Sequence, residues 1–186
     1  MKLLRTVRLD RSDTFVFDQA AEPGEWASPG AFMFWDSDPA LLEGKPRAAF
    51  RSGFLGLATF GWSTLVEVAE ATPADVDAIT ESLARRLVDD HGAPDIEAGR
   101  AAAREEIEFA ASLAGHPFGT VIALQRAIEP DGSVRERFRT IKTMLEAGAN
   151  TFAQGCVQPI GIAHDEDADA PRIEEVDFVG LMEQRK

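Results

Sequence analysis

Residues 72–114 constrain the fold of this chain more than any other stretch. Thr72-Pro73-Ala74-Asp75 reads as a helix start. The threonine caps a free N–H, the proline sits in the first turn where its missing donor is harmless, and Asp75 and Asp77 suit the positive end of the helix dipole. Val76, Ile79, Leu83 and Leu87 then recur at intervals of three and four and make one apolar stripe. Gly92 supplies the stop, and His91 stands where a cation suits the helix end. A second helix is predicted from Asp95 to Ala114, with Ala103, Ile107, Ala110 and Ala114 on one side. The short connector makes the two helices antiparallel neighbours. The alanines let the second lie close to whatever it packs on.

What flanks this pair has the two-residue period of strands. Leu3, Arg5, Val7 and Leu9 share one side of an extended chain, and Thr14–Asp18 is predicted to return as its hairpin partner. Residues 22–30 hold two prolines and two glycines and read as a loop. Ala31–Trp35 is apolar on both faces, as an interior strand is, and Pro46–Ser52 is a short helix turning Ala49 and Phe50 inward. Leu65–Glu70 alternates and has one wetter side. Phe118–Ile128 and Val134–Lys142 form the best hairpin, joined by the turn residues Glu129-Pro130-Asp131-Gly132-Ser133. Val157–Ala163 reads as an edge strand because Pro159 cannot donate to a ladder, 164–175 as an acidic loop, and Val176–Met182 as helix or strand. The expectation is an α+β fold: an antiparallel sheet with an antiparallel helix pair packed on one face, in a single domain. Residues 143–186 either join the core or form a peripheral arm or edge extension.

A chain of 186 residues buries roughly 70% of its unfolded surface, so it needs neither disulfide nor metal to fold. Its 32 acids against 19 bases leave a net charge of −13, which disfavours nucleic acid and anionic membranes as partners. Cys156 stands alone, so no intramolecular disulfide forms, and a reducing compartment follows. Arg5 and Arg8 interrupt the N-terminal MKLLRTVRLD, so it is no signal peptide, and no run approaches the ~18 apolar residues of a membrane helix. A cytoplasmic protein is expected.

The common nucleotide, serine-hydrolase and zinc signatures are absent from the sequence. Gly53, Gly56 and Gly61 have no lysine after them and sit among aromatics, which suits tight turns and close packing better than phosphate binding. Asp165, Asp167 and Asp169 resemble the opening of a calcium loop, but Ala170 and Val176 stand where glycine and glutamate are needed, so a solvated acidic loop is the plainer reading and no metal is assigned. Cys156 and His116 are candidates for nucleophilic or acid–base chemistry only if folding brings them together; alone, the thiol reads as a small buried hydrophobe and His116 as a turn residue. No catalytic residue and no cofactor is therefore assigned.

Two features point to recognition. Arg135, Arg137 and Arg139 alternate, so a strand presents all three on one face, and Arg126 on the partner strand is a candidate fourth member. Such a row suits a carboxylate, a phosphate or an acidic partner, while pairing with the protein's own acids such as Glu129, Glu174 or Glu175 is the plainer use. Trp26 lies in the Pro/Gly loop, where an exposed aromatic marks a contact surface.

The stretches KLLRTVRLD, DTFVF, AEPGEWA, GAFMFW, PRAAFRSGFLG, GWSTLVEV and RERFRT resemble a family of uncharacterised alphaproteobacterial proteins, over about residues 2–142. The resemblance brings no activity and no catalytic residues. It implies an accessory role, since the relatives are encoded near accessory proteins of a molybdenum-dependent formate dehydrogenase and a biotin/lipoate-ligase-like protein. Two readings follow. One is a non-catalytic accessory module acting on a protein partner or as a homo-oligomer, tied by the resemblance to maturation of a molybdenum-dependent dehydrogenase. The other is a small enzyme or binding protein that holds an anionic metabolite through the arginine row, with His116 or Cys156 converging on the same cleft.

Overall fold

The computed structural model describes residues 1–142 and 161–163. In chain order it runs β1 (Lys2–Val7), α1 (Ser12–Val16), β2 (Trp26–Ser28), α2 (Gly44–Ser52), β3 (Phe54–Gly56), β4 (Trp62–Ser63), β5 (Leu65–Glu70), α3 (Pro73–Asp90), α4 (Ile96–Leu113), β6 (Val121–Ile128), β7 (Val134–Lys142) and β8 (Gly161–Ala163), with 3-10 turns at Ala31–Phe34 and Pro39–Leu41. The strands form one antiparallel sheet in the order β4-β3-β2-β1-β5-β6-β7-β8. The fold is α+β, as the alternation of periods predicts.

The helix pair forms where its signals place it. Thr72 and Asp75 make a reciprocal capping box, Thr72 Oγ1 accepting from the Asp75 N–H at 3.2 Å and Asp75 Oδ2 from the Thr72 N–H at 2.9 Å. The neighbouring N–H and hydroxyl donors of Thr72 hold the Asp75 carboxyl below the usual range. Asp95 caps α4 by accepting from the Ala98 N–H at 2.9 Å. Gly99 lets the helices touch: a Cβ there would stand 2.6 Å from the Ala84 carbonyl oxygen. Arg100 ties the pair through Glu81, Nε to Oε1 at 2.6 Å.

Consecutive buried residues on β1 (Leu3, Leu4), β2 (Ala27, Ser28) and β3 (Phe54, Leu55) mean that both sides of these strands are covered. On one side Leu3 meets Ile107, while Leu55 and Leu57 meet Leu83, Ala84 and Leu87 of α3. On the other, Leu4, Ala27, Phe54, Val66, Val68, Ile122 and Leu124 share a core with Ala110 of α4 and with Ala114, which caps its C-terminus. The sheet curls. Arg126 on β6 reaches the Pro29 carbonyl after β2 and the Gly53 carbonyl before β3, although β1 and β5 lie between β6 and β2 in the sheet order.

Three local expectations are corrected. Residues 14–18 are not a strand; Ser12–Val16 is a short helix, and β1 pairs with β2 and β5 instead. Its start is fixed by side chains: Asp10 Oδ1 accepts from the Ser12 N–H at 2.7 Å, and buried Asp13 accepts from the Thr64 hydroxyl at 2.9 Å. Ala31–Trp35 is not an interior strand. Gly30 adopts φ +66° and the chain folds back into a 3-10 turn, the Met33 N–H donating to the Gly30 carbonyl at 3.2 Å. The loop at 22–30 contains β2, which the sequence reading omitted. Of the edge strand expected at 157–163, Gly161–Ala163 pairs with β7; the remainder lies outside the described residues, as does the expected element at 176–182.

Candidate contact surface

Arg135, Arg137 and Arg139 do share one face of β7, in register with Ala127, Gln125 and Ala123. Arg135 is half exposed and pairs with Glu129, Nε to Oε1 at 2.9 Å, which is the internal partner foreseen for it. Arg126 does not join the row. The hairpin register sets it opposite Glu136, on the other face, with its side chain 1% exposed. There it donates through Nε to Glu136 Oε1 at 2.6 Å, through Nη1 to the Phe50 carbonyl at 3.0 Å and through Nη2 to the Pro29 carbonyl at 2.6 Å. It is a clamp between the hairpin, the end of α2 and the turn after β2, not a ligand-facing arginine.

Beside this clamp sits Glu106 of α4, which the sequence reading passed over. Its Oε1 accepts from the Gly30 N–H at 3.0 Å. Burial pushes its carboxyl above the usual range, and the nearby Glu136 adds to the rise; the Ser28 hydroxyl, the Gly30 N–H and Arg126 oppose it. Ser28 is fully buried, and its Oγ makes no hydrogen bond of good geometry.

His116 lines a crevice of about 380 Å³ with Ser112, Leu113, Gly115, Ile122, Phe138 and Thr140. Phe138 and Thr140 alternate with Arg137 and Arg139 along β7, so the arginine row lies on the opposite face from this crevice. The convergence of arginines and His116 that an anionic-ligand site requires is not formed. Among the described residues no group of three His, Cys, Asp or Glu side chains is placed to hold a metal. Cys156 and Asp165, Asp167 and Asp169 lie outside the described residues.

Trp26 is not an exposed loop aromatic. It opens β2, packs against the cores on the helix-pair side, and carries Arg5 over its ring at 5.2 Å. The exposed tryptophan is Trp35, at 78%. Behind it stands Phe32, edge-on at 6.3 Å; behind Phe32 stands His91 at the end of α3, edge-on at 5.5 Å; and His91 stacks on Phe60 at 6.3 Å. Arg86, paired with Asp90 at 2.9 Å, lies over Phe60 at 4.5 Å. Leu41, six residues after Trp35, is also exposed, at 77%.

A built turn presents Phe60. The Glu25 carboxylate accepts four hydrogen bonds: from the Ala58 and Thr59 N–H groups at 2.9 Å, from the Thr59 hydroxyl at 2.6 Å and from the Glu22 N–H at 2.6 Å. Gly56 leaves room beneath it: a Cβ would stand 2.5 Å from the Glu25 carboxyl carbon and push the carboxylate off these donors. The Phe60 N–H donates to the Gly56 carbonyl at 2.9 Å, and Phe60 is left at φ +57°, the one described non-glycine residue with positive φ. Gly53 and Gly61 lie against the backbone of Ala49 and Ala20, and Gly56 against the Glu25 carboxylate, so all three serve close packing, in keeping with the structural use expected of them.

Among the described residues no helix is long and apolar enough to cross a membrane. No curated protein and no solved structure matches the chain. A family model does match, over residues 1–158, which include the aromatic face, the clamp and the hairpin, and the chain therefore belongs to a family of unknown function, DUF6505.

Proposed function

We propose that this protein is a non-catalytic accessory module of the cytoplasm that works by protein contact, and that the Trp35–Phe32–His91–Phe60 face is its contact surface. The exposure of Trp35, braced from behind by the Phe32 ring, carries the reading. Tryptophan is the residue most over-represented among binding hot spots, and its exposed ring gains most when a partner removes it from water. Phe60 supports the same reading: a left-handed aromatic costs about 1–2 kcal/mol, and such strain persists where the surroundings over-determine it, as the Glu25 turn does here. The resemblance to alphaproteobacterial proteins encoded near formate dehydrogenase accessory proteins favours a partner in maturation of a molybdenum-dependent dehydrogenase. The alternative, an anionic metabolite held by the arginine row, loses its main support because the row and the His116 crevice occupy opposite faces of β7.

The test is a photo-crosslinking amino acid placed at position 35 or at exposed Glu108 of α4, in the protein expressed in its own cells. A single defined adduct from position 35, and none from position 108, is the expected result. No adduct from position 35, or the same adducts from both, rejects this surface.

A further inference from the structure

Resting on that contact reading, we infer that the segment docking on this face brings a guanidinium or ammonium group over Trp35, with apolar side chains beside it. The indole is the strongest aromatic acceptor for a cation, and here it is exposed. The same cluster already holds one cation on a ring, Arg86 over Phe60. Exposed Asp36 and Asp38 lie one and three residues after Trp35, and Asp89 and Asp90 end α3 just before His91 in sequence. Asp90 is spent on Arg86. Asp36, Asp38 and Asp89 thus put exposed carboxylates within three residues of Trp35 or His91, Asp38 also accepting from the Ala40 N–H at 2.9 Å, in a chain of net charge −13. An acidic partner would meet like charge at each of these positions, while a basic one gains both the ring and these carboxylates. Leu41, six residues after Trp35, is a second exposed apolar side chain of the same segment. The recognised chemistry is a basic, leucine-like segment of a protein partner.

The probes are two blocked hexapeptides, one of two arginines and four leucines, the other with glutamates in place of the arginines. The readout is the indole N–H cross-peak of Trp35 in a nitrogen-15 correlation spectrum, assigned by Trp35→Phe. The arginine peptide is expected to move this peak and the glutamate peptide to leave it in place. The double change Asp36→Asn with Asp38→Asn should weaken the arginine peptide roughly ten-fold, the scale of two lost surface ion pairs. The double change Glu105→Gln with Glu108→Gln on α4 alters net charge equally and should leave its affinity unchanged. Equal response to both peptides, or equal weakening by both double variants, overturns the cationic partner. The contact reading fails separately, through the crosslinking at position 35.

Discussion

Arg126 and Glu136 face each other across the β6–β7 hairpin, Nε to Oε1 at 2.6 Å, with the arginine 1% and the glutamate side chain 21% exposed. The pair is one arm of a clamp. The other arms are the carbonyls of Phe50 and Pro29, which close the curl of the sheet.

Removing one member of such a pair strands the other. Arg126→Met leaves Glu136 partly buried without its cation and the carbonyls without donors, and should cost about 3–5 kcal/mol in urea unfolding. Adding Glu136→Leu removes the stranded charge and should restore part of the loss, though not the carbonyl bonds. Arg126→Lys keeps the charge but not the fork, and should fall between the two.

Glu106 lies next to this clamp, and its raised carboxyl gives stability a definite pH slope. A carboxyl whose folded pKa lies above its unfolded value, near 4.5, binds more protons when folded. Its contribution is fully present below pH 4.5 and is lost as pH rises from there through the folded pKa. Glu106→Gln keeps the acceptor for the Gly30 N–H and abolishes the titration. The stability of the variant relative to the parent should therefore rise as pH is raised from 4 to 8. A difference that stays flat across that range would show that folding does not raise the Glu106 carboxyl.

The close helix approach makes a third prediction in which two effects oppose. In a helix interior alanine is favoured over glycine by about 1 kcal/mol. At Gly99 the added Cβ would stand 2.6 Å from the Ala84 carbonyl oxygen, a backbone atom that gives only if α3 and α4 separate. Overpacking of this kind costs about 1–3 kcal/mol and should win. Gly99→Ala is expected to lower the unfolding midpoint. Ala101→Gly, exposed on the same helix, should lower it by propensity alone.

How much of this was legible in the sequence depends on the range of the forces involved. The helix pair and the β6–β7 hairpin are written in local signals: a capping box, a stripe at three and four, a turn around Asp131-Gly132. The face of Arg126 was legible too, because a turn that closes at Ile128 and Val134 puts residue 126 opposite 136. Counting that register separates Arg126 from the row. Ala31–Trp35 was not legible. Its apolar run suits a buried strand, and only the left-handed Gly30, pressed against Leu55, folds it into a 3-10 turn. The short helix at Ser12–Val16 likewise depends on Asp13 meeting Ser63 and Thr64, some fifty residues away. The aromatic face joins residues 32–35, 60 and 86–91, so no window of sequence contains it.

The exchange of roles between the two tryptophans gives the last prediction. Trp35 is exposed and, among the described residues, makes its ring contact with Phe32, so Trp35→Ser should change stability by no more than about 0.5 kcal/mol, the range of ordinary surface substitutions. Trp26 packs on both helix-side cores and under Arg5, so Trp26→Ala should cost about 3 kcal/mol, the low end for a large aromatic because the residue is only half buried. Fluorescence separates them without unfolding. Loss of Trp35 should remove the red, readily quenched part of the emission, since an indole in water emits at longer wavelength and meets iodide freely. Loss of Trp26 should leave that part intact. If Trp35→Ser instead unfolded the protein, the ring would be a core residue and the contact surface proposed for it would be lost.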